Sequence, residues 1–160
     1  MTSADERSTK SNSERLAELG IELPSVVPPL AAYVPAVRTG NLVYTAGQLP
    51  MTAGSLPQTG KVGAEVTPEI GKALARTCAL NALAAVDSVV GIDTVTRVVK
   101  VVGFVASAPG FHGQPGVING ASQLLGEVFG DAGVHARSAV GVSELPLDAP
   151  VEVELIVEVA

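Results

Sequence analysis

Tryptophan is missing from this 160-residue chain, and Phe and Tyr together bring the aromatic share to only 3%. A core without large rings must be filled by Val, Leu, Ile and Ala, and few side chains remain on which nucleic-acid bases could stack. Positive charge is also scarce: 10 Lys and Arg against 16 Asp and Glu leave a net charge of -6. That balance lacks the basic footprint that releases counterions from a phosphate backbone, so no nucleic-acid partner is expected. The single cysteine, Cys78, excludes an intrachain disulfide, and its setting among Ala and Leu reads as core packing rather than a reactive thiol. A reducing, cytoplasmic location fits. No apolar run approaches the length of a membrane span, and the start MTSADERSTKSNSE lacks the hydrophobic centre of a signal peptide. No membrane partner is expected either.

What the chain does have is 47% apolar residues and a length suited to one domain with one aliphatic core. Residues 1–30 read as a flexible polar start, a short helix capped by Ser13 and stopped by Gly20, and an extended proline-bearing lead-in. A single domain is expected over 31–160. It opens with two strands, YVPAVR and LVYTAGQ, joined by a tight turn, and Pro35 argues that the first lies at an edge. A glycine-rich loop follows, then a long helix capped by Thr67 and ended by Gly91, with Ile70, Leu74, Leu80, Leu83, Val86 and Val90 at helical spacing. TVTRVVKVVGFVA reads as a strand apolar on both faces, and VINGASQLLGEVFG as a second main helix. SAVGVSEL and PVEVELIVEVA close the chain as strands. The fold class is α+β, ββαβαββ, with a mixed, mostly antiparallel sheet and two main helices on one face.

Two helices cover one face of a five-stranded sheet, yet the third strand is apolar on both. The cheapest cover for the second face is another copy of the same chain in a closed homo-oligomer. In the last strand, alternation puts Val151, Val153, Leu155, Val157 and Val159 on the core face, and Glu152, Glu154, Ile156 and Glu158 on the other. Arg137, in the run ARSAVGV, carries a planar fork suited to a carboxylate, either a glutamate of the protein or that of a small ligand. His112 and His135 have no third ligand spaced near them, so no metal site is expected. Glu154 reads as a paired surface or interface acid, and Arg97 and Lys100 as partners of nearby acids or as snorkelling side chains. Tyr33 on a strand and Gly47 at a bend are open to bland readings as a half-buried aromatic and a bulge.

From about Tyr33 onward, TGNLVYTAGQLP and the arrangement ARS…LP…VEVE resemble the RidA family, also called the YjgF or L-PSP endoribonuclease family. The resemblance implies a chorismate-mutase-like subunit in a homotrimer, with three clefts between neighbours. It also implies hydrolysis of reactive enamines and imines of amino acids to 2-oxo acids and ammonia, without metal or bound cofactor. Carried over by position, Arg137 would clamp the substrate carboxylate and Glu152 would position or activate the hydrolytic water. Tyr33 would lie near that carboxylate, and the Gly47 N–H would face the ligand. The chain departs from the family pattern at Ala31-Ala32 and Val34-Pro35 around the tyrosine, at Ala46 where serine is common, and at Gly141 where glutamate is usual. The alternatives are a trimer that binds a small carboxylate without turning it over and, with the weakest physical support, an endoribonuclease.

Overall fold

The computed structural model describes residues 10–29 and 31–160. The expected frayed start at residues 1–9 lies outside them. The elements are α1 (Asn12–Glu18), β1 (Ala36–Thr39), β2 (Leu42–Thr45), α2 (Pro68–Val90), β3 (Val95–Ala106), α3 (Gln114–Phe129), β4 (Ala136–Val142) and β5 (Val151–Val159). The strands form one mixed sheet in the order β1-β2-β5-β3-β4, with β3 and β4 parallel and the other neighbours antiparallel. β1 is an edge strand, as Pro35 implied, but it starts after that proline rather than at Tyr33. A residue with no N–H cannot begin donating to the ladder. β4 starts two residues earlier than its apolar run suggests, which puts Arg137 inside the strand.

Register sorts the side chains into rows. Toward the helices lie Val43, Val157 and Val98, then Leu155, Val101 and Arg137, then Val153, Gly103 and Ala139. The valines of these rows and Leu155 are almost wholly buried. Each large aliphatic side chain removed from water here contributes about 1.5–3 kcal/mol. α2 and α3 cover this face. At Gly103 a Cβ would run into the Ile118 side chain, so the absence of one lets α3 settle directly onto β3. That close seating brings the neighbouring turn of α3 over β4.

α2 departs from one sequence expectation. At 23 residues, with an 18-residue stretch of mean hydropathy 1.4, it is long and apolar enough to span a bilayer by length and composition, although no run of that kind was expected. Its alanines add to the apolar side chains read from the helical spacing, and in the fold eleven of its residues are buried. The loop between β2 and α2 holds a second surprise: Val62 and Val66 are fully buried, and Val62 bridges to Ser107. Turn residues around them hide these two core positions in the sequence. Cys78 is buried, as its setting suggested.

The lead-in is tied to the same core. Ser11, not Ser13, caps α1, in a capping box with Glu14. Ser13 instead bonds Asp93 through both its backbone N–H and its hydroxyl, Asn12 donates to the carbonyls of Ile92 and Val95, and Leu16 joins the main core cluster.

Candidate functional site

β5 carries Glu152 on the face away from the helices, in register with Phe104 of β3. The same register continues outward through Val102 and Glu154, and through Lys100, Ile156, Tyr44 and Val37. This face mixes half-buried Val102, Phe104 and Ile156 with exposed Val37, Tyr44 and Val140. No described helix packs across it. Burial, and secondarily the like charge of Glu154, pushes the Glu152 carboxyl above the ordinary carboxylate range. A carboxyl moved toward neutral pH is a stronger base once ionised than an ordinary surface acid. Among the described residues of one chain, Glu152 and Glu154 make no ion pair, nor do Arg97 and Lys100.

Beside Glu152 the β2–β5 ladder is interrupted. Pairing stops at Tyr44 and Ile156 and resumes with a single bridge from Gln48 to Val153, so residues 45–47 stand opposite 154–155. The extra residue makes a bulge, and Thr45 partly repairs the ladder by accepting the Leu155 N–H at 2.9 Å on its hydroxyl. Gly47 is at the bulge because space demands it: a Cβ would strike the Glu152 carboxyl, whose Cδ would be 2.8 Å away. Gly47 and Tyr33 also line one small cleft with Pro35, Gln48 and the connector prolines Pro28 and Pro29. Tyr33, Gly47 and Glu152 therefore form one corner of the molecule.

Arg137 is elsewhere. It pairs in register with Val101, on the helix side of the edge strand β4, whereas Glu152 lies on the opposite face. One chain does not bring the two together. Arg137 Nη1 donates to Asn119 Oδ1 at 2.8 Å and to Ser122 Oγ at 3.2 Å, and Nη2 donates to the Pro115 carbonyl at 3.4 Å. All three acceptors are neutral. A guanidinium has five N–H donors, so Nε and one Nη2 proton keep no partner among the described residues. Nε and Nη2 together form the edge of a guanidinium that can grip a carboxylate with two parallel bonds, and here that edge meets only the Pro115 carbonyl, at 3.4 Å.

Asn119 and Ser122 were not among the residues singled out from the sequence. Their three-residue spacing places them on one face of α3, and His135 shares a face of the β4 approach with Arg137 by alternation. Those are the only sequence signals, and neither says that the helix face meets the strand. His112 is exposed in its loop, and among the described residues no three His, Cys, Asp or Glu side chains converge as a metal site would need.

The sequence matches the Endoribonuclease L-PSP family over residues 24–159. Protein TCP17 of Trypanosoma cruzi is 44% identical over 145 residues, covering 89% of this chain and 91% of that protein. The crystal structure of Atu1372 from Agrobacterium tumefaciens, 45% identical, superposes with a TM-score of 0.86 over 93% of this chain and 92% of its own. The YjgF gene product of E. coli, 28% identical, superposes with a TM-score of 0.63 over 84% of this chain and 93% of its own. With that match across most of its length and the α+β fold to go with it, the chain belongs to the Endoribonuclease L-PSP family, the RidA/YjgF family.

Proposed function

We propose that this protein is a homotrimer that hydrolyses small reactive 2-imino and 2-enamino acids to 2-oxo acids and ammonia in clefts between subunits. The observation that carries the reading is the Arg137 fork: a permanent cation anchored by neutral acceptors, whose Nε and Nη2 edge meets no anion among the described residues. A half-buried guanidinium without a counter-ion is costly to keep unless an anion arrives. Arg137 and Glu152 lie on opposite faces of one sheet, so the reading requires the β4 edge of one copy to approach the open face of another. The apolar residues exposed on that face favour such a cover.

In this reaction the Arg137 fork binds the substrate carboxylate and fixes the neighbouring imine carbon. Glu152 takes a proton from water as its oxygen bonds to that carbon, and the imine nitrogen gains a proton. The resulting carbinolamine expels ammonia as its hydroxyl proton leaves, and the C=O of the 2-oxo acid forms. An enamine first takes a proton at Cβ to become the imine. Every atom comes from substrate and water, and no redox step is involved. A trimer that binds a small carboxylate without turning it over stands second, and ribonuclease action, named in the family's description, stands last because the chain is acidic and poor in aromatic side chains.

The test combines calorimetric titration with pyruvate, an assay on 2-iminopropanoate generated in place by an amino-acid oxidase, and light scattering. Arg137→Ala and Arg137→Lys are both expected to lose pyruvate binding while keeping the mass of three chains, because an ammonium keeps charge but not the two-pronged geometry. Unchanged binding in Arg137→Ala, or a wild-type mass of one chain, would sink the proposal.

A further inference from the structure

We propose that Ser122 and His135 are positioning residues for the Arg137 fork, acting in series from His135 through Ser122; this rests on the reading of Arg137 as the carboxylate clamp. His135 Nδ1 lies 2.6 Å from the Gly133 carbonyl oxygen. A carbonyl can only accept, so Nδ1 carries the proton and holds the ring to the backbone. In the neutral ring Nε2 is then an acceptor, and it lies 2.9 Å from Ser122 Oγ. The Ser122 hydroxyl therefore donates to His135, which turns its lone pairs toward Arg137 Nη1 at 3.2 Å. The direction matters, because a serine hydroxyl turned the other way would set O–H against N–H.

Without Ser122, Asn119 holds Nη1 by one bond at 2.8 Å and the Pro115 carbonyl holds Nη2 only by a long one at 3.4 Å, so the fork is less firmly aimed. A second acceptor on Nη1 fixes the plane of the fork, and with it the aim of the Nε–Nη2 edge. Without His135, Ser122 loses the partner that orients its proton and is free to bond back to a carbonyl of its own helix. The Nη1 anchor then weakens, although every atom of Arg137 and Asn119 remains. His135 and Ser122 touch no reacting atom in this scheme.

The measurement is pyruvate affinity by calorimetry on the full chain, with melting temperature recorded beside it. Ser122→Ala and His135→Leu are each expected to weaken binding by about 3- to 10-fold, the size of one lost hydrogen bond. Both should melt close to the wild type. The double variant should bind no worse than Ser122→Ala, because His135 acts only through the serine. His135→Gln, whose side-chain carbonyl can accept the same proton, should recover most of the affinity. If Arg137→Ala abolishes binding while Ser122→Ala and His135→Leu bind like the wild type, the positioning role is overturned and the clamp stands. Additive losses in the double variant overturn it equally. If Arg137→Ala binds as the wild type does, or the wild type does not bind pyruvate, both readings fall together. Should Ser122→Ala not fold, His135→Leu against His135→Gln carries the test, and equal affinities refute the role.

Discussion

The two faces of the sheet are made by alternate residues of the same strands, and they follow opposite rules. Leu155 and Ile156 are neighbours on β5; the first is 1% exposed beneath the helices, while the second stays half-buried on the open face. Rows on the helix side are apolar until they reach the edge, where Arg137 ends one of them. Rows on the open side put Glu152 beside Phe104, Glu154 beside Val102 and Ile156 beside Tyr44. The first face has shape and close packing to satisfy. The second combines apolar area with carboxylates, a mixture that suits a surface covered only in part and carrying chemistry where it is not.

The largest effect should separate those faces. Leu155→Ala is expected to cost about 2–5 kcal/mol, because the helices above it cannot close on the space left behind. Ile156→Ala, one residue on, should cost under about 1 kcal/mol to the dilute chain. Its effect should appear instead as a lower concentration of assembled protein. Urea unfolding at two protein concentrations, with light scattering, measures both. Similar, concentration-independent losses at the two positions would mean that the open face is already packed within one chain.

This contrast also marks what could be read from the sequence. Alternation in VEVELIVEV placed every residue of β5 on its correct face, because a period of two is enforced by the backbone itself. The caps of α2 were legible for the same local reason, at Thr67 and Gly91. Val62 and Val66 were not, since Val62 bridges to Ser107 more than forty residues away and Val66 bridges to Val62. The candidate site was half legible. Tyr33, Gly47, Arg137 and Glu152 stood out as residues, but that Arg137 and Glu152 lie on opposite faces follows from strand order and register, which no local pattern encodes. Asn119 and Ser122 were hidden for a related reason: their roles exist only because α3 seats on Gly103 beside β4.

A second prediction sharpens the comparison within the open face. Glu152→Gln keeps size and removes the base, so turnover of 2-iminopropanoate should fall about 10²-fold while pyruvate binding persists. Gly47→Ala should act on the same group from behind, because its methyl would occupy the place of the Glu152 carboxyl and push it aside. A displaced base costs less than an absent one, so a fall of about tenfold is expected, again with pyruvate binding retained. If Gly47→Ala slows turnover as much as Glu152→Gln does and also loses pyruvate, the bulge is a ligand contact more than a seat for the carboxyl.

The smallest effect concerns the stability of the open face as pH changes. In the folded chain the Glu152 carboxyl is held above its ordinary value of 4.5, first by burial and then by the charge of Glu154. The folded state therefore holds this proton more tightly than the unfolded state does. That contribution to stability is fully present below the unfolded value and is lost as pH rises through the raised folded value. Relative to Glu152→Gln, which has no proton to lose, the wild-type chain should lose stability over that window and then keep a constant deficit. Because Glu152 is only half-buried, water screens much of the penalty and the change should be modest. Melting temperatures of both proteins from about pH 4 to about pH 8 span the range in which a raised carboxyl titrates. A wild type that instead gains on Glu152→Gln as pH rises would mean that the ionised carboxylate meets a cation or a hydrogen-bond donor in the assembled protein. The open face would then be a polar paired interface at Glu152, and its rule would differ from that of the helix-covered face even where it is fully buried.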